Sequence, residues 1–170
     1  MQPIRIDRQR AKATAMPVEV QIALENEDLP SEKEIGRWAL AAMKSTASIT
    51  SGGRIDTDVC IRVVAEEESR RLNRTYRGTD KPSNVLSFRA DVDLPDVKFL
   101  GDIVICAPLV REEAKMQKKD LADHFAHMVI HGILHLLGHD HEIEAQAQKM
   151  EALEREILER FGVSDPYTEI

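Results

Sequence analysis

The stretch His124-Phe-Ala-His-Met-Val-Ile-His-Gly-Ile-Leu-His-Leu-Leu-Gly-His-Asp-His141 contains all six histidines of a 170-residue chain. Asp120 can cap a helix running from Leu121 to Leu137, and Gly138 stops it. At helical spacing His131 and His135 lie about 40° apart on one face, so both imidazoles can converge on a single ion. The chain must turn after Gly138, and that reversal can bring His141 back beneath the pair.

Outward from this helix, the sequence reads as one α+β domain. Pro108 suits the first turn of a helix reaching about Gln117. A last helix, from Glu142 to Phe161, ends at Gly162 and turns Ala145, Met150, Leu153, Ile157 and Leu158 inward. The N-terminal half is mixed. Val18, Val20, Ile22 and Leu24 alternate as in a half-buried strand, and so do Val59, Ile61 and Val63. Between them, Pro30-Ser31 with Glu34 resembles a reciprocal helix cap, followed by the stripe Ile35, Trp38, Leu40, Ala41, Ala42. Ser51-Gly52-Gly53 breaks that helix. A short polar helix from Glu66 to about Tyr76 is anchored by Leu72. Two further β-rich runs, Asn84 to Phe88 and Leu100 to Cys106, flank a loop at 91–97. These elements predict a small mixed sheet of about four strands with five or so helices. The metal site would lie at the end of the central helix. The domain would span residues 18–168, with 1–17 a basic N-terminal extension.

Composition sets the outer bounds. A net charge of −7 argues against a generic nucleic-acid coat protein, and two cysteines are too few for a disulfide scaffold. No apolar run approaches the ~20 residues of a membrane span, so no membrane partner is expected. The first residues lack the apolar centre of a secretory signal. Their basic character leaves organellar targeting as the lesser reading beside a frayed terminal extension, and the two cysteines suit a reducing compartment such as the cytoplasm.

The full histidine pattern is H-x3-H-x2-G-x2-H. Two histidines at i,i+4 alone are more often ordinary helix residues than ligands; the glycine and third histidine at this spacing reverse that reading. Three neutral imidazoles, His131, His135 and His141, suit one tetrahedral Zn²⁺ per chain and leave its fourth position open. The spacing is that of metzincin zinc sites. However, peptidases of the HExxH type place their general base directly after the first histidine, and here that residue is Gly132. A usual peptidase is therefore disfavoured. His127, on the same face one turn earlier, is either a supporting residue or a satisfied core histidine. Asp140 either orients a ligand imidazole or serves the turn. His124 reads as a surface or edge residue and His139 as no ligand.

Upstream, residues 69–89 hold six bases, Arg70, Arg71, Arg74, Arg77, Lys81 and Arg89, against Asp80 alone, a local +5. Arg70, Arg74, Arg77 and Lys81 are spaced by four, three and four, so a continuing helix would carry them along one side. Guanidinium groups take phosphate oxygens in paired hydrogen bonds. The blander reading is a solvated run that pairs with Glu66, Glu67 and Glu68. Beside a zinc site, the cationic run suggests phosphodiester cleavage in a single-stranded polyanion. By contrast, residues 142–170 hold eight acids against three bases, which reads as a solvated helix surface or a face for a basic partner.

These residues resemble the YbeY endoribonucleases, the bacterial rRNA maturation factors. The family signature H-G-x-L-H-L-x-G-Y-D-H reads here as His131-Gly-Ile-Leu-His-Leu-Leu-Gly-His-Asp-His141, with His139 where tyrosine is usual. Leu72-Asn-Arg-Thr-Tyr-Arg-Gly-Thr-Asp-Lys-Pro-Ser-Asn-Val-Leu-Ser-Phe88 and Leu100-Gly-Asp-Ile-Val-Ile-Cys106 resemble two further family blocks. The resemblance implies zinc on His131, His135 and His141, and a functionally important arginine at Arg77. It implies cleavage of single-stranded RNA, maturation of the 16S rRNA 3′ end, ribosome quality control, and contact with the small ribosomal subunit and its maturation factors. Combined with the residue reading, Arg77 would stabilise charge on the phosphate, with Arg74 and Lys81 as further RNA contacts and His127 and Asp140 as supports of the site. The base is open among the RNA 2′-hydroxyl, His127 and Asp140. Two alternatives stand beside this: a ribosome-assembly factor whose zinc is structural, closed by a fourth ligand such as Cys106, and an atypical metal-dependent hydrolase or peptidase.

Overall fold

The computed structural model describes residues 17–25, 28–46, 57–90 and 99–168. The expected basic extension (save Pro17), the break at Ser51-Gly52-Gly53 and the loop at 91–97 lie outside them. Four strands, β1 (Val18–Ile22), β2 (Asp58–Val64), β3 (Val85–Arg89) and β4 (Phe99–Cys106), form one mixed sheet in the order β1-β2-β4-β3. β1, β2 and β4 run parallel, and β3 pairs antiparallel with β4. Five helices accompany them among the described residues: α1 (Glu32–Thr46), α2 (Glu66–Arg77), α3 (Ala107–Met116), α4 (Leu121–Leu136) and α5 (Glu144–Glu159). The α+β reading of the sequence holds, with four strands and five helices.

Local chemistry accounts for the element boundaries. At the start of α1, the Ser31 amide donates to Glu34 Oε2 (2.9 Å) and the Glu34 amide donates to Ser31 Oγ (3.3 Å), the reciprocal cap expected. The Asp120 carboxylate accepts from the Ala122 amide at 2.8 Å and opens α4. Strand alternation then sorts side chains to the two faces of the sheet. Val59, Ile61, Val63, Ile103 and Ile105 join the main core against α1 and α4, whereas Cys60, Val64, Leu86 and Val104 meet Leu72 of α2 on the other side. Because both faces are covered, β2 and β4 read as nearly continuous apolar runs.

α4 is the central helix. Phe125, Ala126, Val129, Ile130, Ile133 and Leu134 are fully buried along it. Its C-terminal turn emerges from the core beside β3, where the histidines stand.

Candidate metal centre and its cleft

Two glycines set the histidine geometry. Gly132 packs α4 tightly on the sheet: a Cβ there would lie 3.1 Å from two Ile103 side-chain atoms and 3.3 Å from Ser87 Oγ. The Ser87 hydroxyl donates to the Gly132 carbonyl at 3.2 Å. The position that holds glutamate in HExxH peptidases thus faces the β-sheet, where a side chain would require its neighbours to give by a few tenths of an ångström. Gly138, with φ of 95°, then takes the left-handed conformation that lets the chain reverse after the helix. Its amide closes on the His135 carbonyl and that of His139 on the Leu134 carbonyl, both at 3.0 Å. The reversal stacks the His141 ring 5.8 Å from that of His131 and 5.0 Å from that of His135.

His131, His135 and His141 are brought together as the sequence spacing suggested, their ligand atoms within 4.8 Å of one another. His131 Nε2 and His135 Nε2 stand 3.1 Å apart. Two nitrogens on one tetrahedral Zn²⁺, each at 2.0–2.1 Å, would be about 3.3 Å apart, so the donor set fits such an ion. Burial, followed by the neighbouring charges of His131 and His141, pulls the His135 pKa down to about 4. At neutral pH that imidazole therefore keeps the lone pair a ligand needs.

Behind the histidines lies a residue that the sequence reading missed. Glu154 of α5 is fully buried, and its Oε1 accepts from His131 Nδ1 at 2.5 Å. Its Oε2 meets His127 Nε2 at 3.2 Å and the Tyr167 hydroxyl, which donates to it. Burial pushes the carboxyl upward, yet the hydrogen bonds from His127 and His131 prevail and hold it at about 2. Burial and the Glu154 carboxylate push the Tyr167 hydroxyl upward, so it remains a donor. The signal available in the sequence was an acid on the inward face of α5, among Met150, Leu153 and Ile157.

The other histidines differ in part from expectation. His124 is not a surface residue. It is 3% exposed because Glu113 of α3 supplies a partner for its Nε2 at 2.8 Å. His127 meets Glu154 Oε2 and lies edge-on to the His131 ring, 6.1 Å between ring centres. Asp140 Oδ1 accepts from the His141 amide (2.6 Å) and the Glu142 amide (3.3 Å), which are contacts of the turn rather than of an imidazole. His139 lines the same cleft but stands outside the three-histidine group. Cys106 is buried at the end of β4 and is not among the residues gathered here.

The metal group opens on a cleft of about 680 Å³, whose lining includes Arg77 and Arg89. Arg77 Nη2 donates to the Ser87 carbonyl at 2.6 Å, and its guanidinium sits 5.5 Å from the Phe88 ring centre. Arg89 Nη2 donates to the His135 carbonyl at 3.2 Å, placing a cation at the C-terminal end of α4. The short helix expected from Glu66 to about Tyr76 is observed, and it does not continue to Lys81. α2 stops at Arg77, where the Gly78 amide closes on the Arg74 carbonyl at 3.2 Å, so Lys81 lies beyond the helix. Arg74 and Lys81 are exposed and not part of the cleft lining. Arg70 is drawn to Asp80 at 2.8 Å, and Arg71 approaches Glu68 at 3.8 Å.

A four-stranded α+β domain whose three-histidine group opens on a cleft lined by Arg77 and Arg89, with Asp140 and Glu142 beside them, has the features of a hydrolase with a candidate metal centre. The family profile of endoribonuclease YbeY matches residues 20–162, and this chain belongs to that family. It is 47% identical to the Endoribonuclease YbeY of Stenotrophomonas maltophilia over 171 residues, covering 97% of this chain and 95% of that protein. It is also similar to a Thermotoga maritima protein solved in solution, with 27% identity and a TM-score of 0.54, over 88% of this chain and 99% of that one. Among the described residues no helix is long and apolar enough to cross a membrane.

Proposed function

We propose that this chain cleaves single-stranded RNA with one Zn²⁺ held by His131, His135 and His141. Its substrate on this reading is ribosomal RNA, at the 3′ end of the 16S molecule, in the bacterial cytoplasm and in contact with the small subunit. The observation that carries the proposal is the pairing within one cleft of a three-imidazole group and two guanidinium groups, Arg77 and Arg89. Family membership supports the reaction class.

A Zn²⁺ bound at these nitrogens supplies Lewis-acid polarisation. The protein's own residues do the rest. Arg77, anchored on Ser87 and seated by Phe88, offers a planar guanidinium to phosphate oxygens and to the charge that builds on them during cleavage. Arg89, held on the α4 terminus, adds a second positive charge at the cleft. His127 and Asp140 are engaged by Glu154 and by backbone amides, so neither is assigned the base. The remoteness of Cys106 favours a site left open toward the cleft over one closed by a fourth protein ligand.

The test is incubation of the purified protein with single-stranded RNA, duplex RNA and a peptide panel, with and without chelator. Arg77→Ala and His135→Ala run in parallel to expose contaminating nuclease. Chelator-sensitive cutting of the single strand alone, lost in both variants, supports the reading. Cutting at the wild-type rate by either folded variant, or cleavage confined to peptides, overturns it.

A further inference from the structure

We propose that Glu154 and Tyr167 are positioning residues of the metal centre, and that through Tyr167 the C-terminal strap after α5 sets the affinity of the site. The proposal rests on the reading that His131, His135 and His141 hold a metal, and it adds what makes His131 a competent ligand.

An ionised glutamate only accepts hydrogen bonds, so every group it contacts must donate. Glu154 Oε1 faces His131 Nδ1 at 2.5 Å, so the His131 proton sits on Nδ1 and its Nε2 carries a lone pair. That Nε2 is the atom standing 3.1 Å from His135 Nε2. The carboxylate thus selects the tautomer that aims an electron pair at the ion's place. The same count applies on the other oxygen. His127 Nε2, 3.2 Å from Oε2, must be protonated, which leaves Nδ1 a bare acceptor. His127 Nδ1 is buried with no hydrogen-bond partner, as that tautomer allows.

Tyr167 completes the count, since its hydroxyl donates to Glu154 Oε2. It arrives from beyond the end of α5, on a segment fastened at several points. Arg155 Nε donates to Asp165 Oδ2 at 3.0 Å, the Asp165 carboxylate accepts from the Tyr167 amide at 2.9 Å, and Lys119 Nζ donates to the Pro166 carbonyl at 2.7 Å. The Arg155 guanidinium also lies 5.1 Å from the Tyr167 ring centre. An unbroken chain of contacts therefore runs from the strap through Tyr167 and Glu154 to His131. A carboxylate donating order to a ligand histidine in this way is worth roughly 10–100-fold in metal affinity at other zinc sites.

The experiment measures Zn²⁺ affinity of the full chain by competition with a chromophoric chelator. It also records the visible absorption of the Co²⁺-loaded protein and the ¹⁵N shifts of His131 in the metal-free protein. Glu154→Gln should weaken Zn²⁺ binding roughly 10–100-fold, change the Co²⁺ spectrum and move the His131 proton off Nδ1. Tyr167→Phe, which removes one oxygen, should weaken binding several-fold with the fold intact. Arg155→Gln, which only loosens the strap, should produce a smaller loss in the same direction. If Glu154→Gln does not fold, Tyr167→Phe alone decides the matter. Unchanged Zn²⁺ affinity and Co²⁺ spectrum in folded Tyr167→Phe overturn the proposal, as does lowered thermal stability with both readouts unmoved. Failure of the wild type to bind Zn²⁺ instead sinks the metal reading itself, and this proposal with it.

Discussion

The cleft has two unlike walls. On the α4–α5 side, Glu154 fixes His131, the Gly138 turn delivers His141, and His135 Nε2 meets His131 Nε2. On the α2–β3 side, Arg77 is exposed and anchored through one nitrogen to a carbonyl, beside one aromatic ring. A metal needs its donors placed to a fraction of an ångström, and on this wall fully buried Glu154 stands behind half-buried His131, with His135 half-buried and His141 exposed at the cleft. A phosphate chain arrives in many geometries, so the second wall presents charge on side chains that can follow it. Precision is found where burial can enforce it.

The sharpest way to break this contrast is to delete one ligand. His135→Ala should take bound Zn²⁺ from one per chain to nearly none and reduce RNA cleavage to background, measured by metal stoichiometry and a strand-cutting assay. Next in size, Arg77→Ala should slow cleavage roughly 10²–10³-fold while Zn²⁺ stays at one per chain. Arg77→Lys should recover only part of the rate, because an ammonium lacks the planar fork. Metal loss in Arg77→Ala would show that the walls are not separable.

A third, smaller effect concerns the bases outside the cleft. Arg74→Ala and Lys81→Ala should each lower single-stranded RNA affinity a few-fold and flatten the plot of log K against log salt by about 0.7. Unchanged slopes would remove both from the RNA path. The smallest effect is a change in slope with pH. Burial, partly offset by Glu113, holds the His124 pKa below its ordinary 6.5, so the unfolded chain binds the extra proton first. Stability from this group is complete above about pH 6.5 and falls as the pH drops toward the lower folded value. Urea unfolding of His124→Gln should show a shallower decline from pH 7 to 5 than the wild type.

What the sequence disclosed and what it hid follow sequence distance. The three histidines and the glycine that turns the chain lie within eleven residues, and helical periodicity alone aligns two of them. The capping box at Ser31 and Glu34 and the strand alternation of β2 were legible for the same reason. Glu154 was hidden because its partner is 23 residues away on another helix, and α5 offers several acids of identical chemistry. His124 was misjudged because Glu113, which makes its burial tolerable, belongs to α3. The order of strands was likewise unreadable, since β2 and β4 pair across an intervening helix and the edge strand β3.

The close seating of Gly132 on Ile103 also bears on which neighbouring sequences this chain can reach by substitution. A change of Gly132 to glutamate, the one step that would write a peptidase motif, collides first with the sheet rather than with the chemistry. Ile103, which is fully buried, would have to give by a few tenths of an ångström, and overpacking of a core in this way is destabilising. A packing contact in the core thus fences off one evolutionary direction.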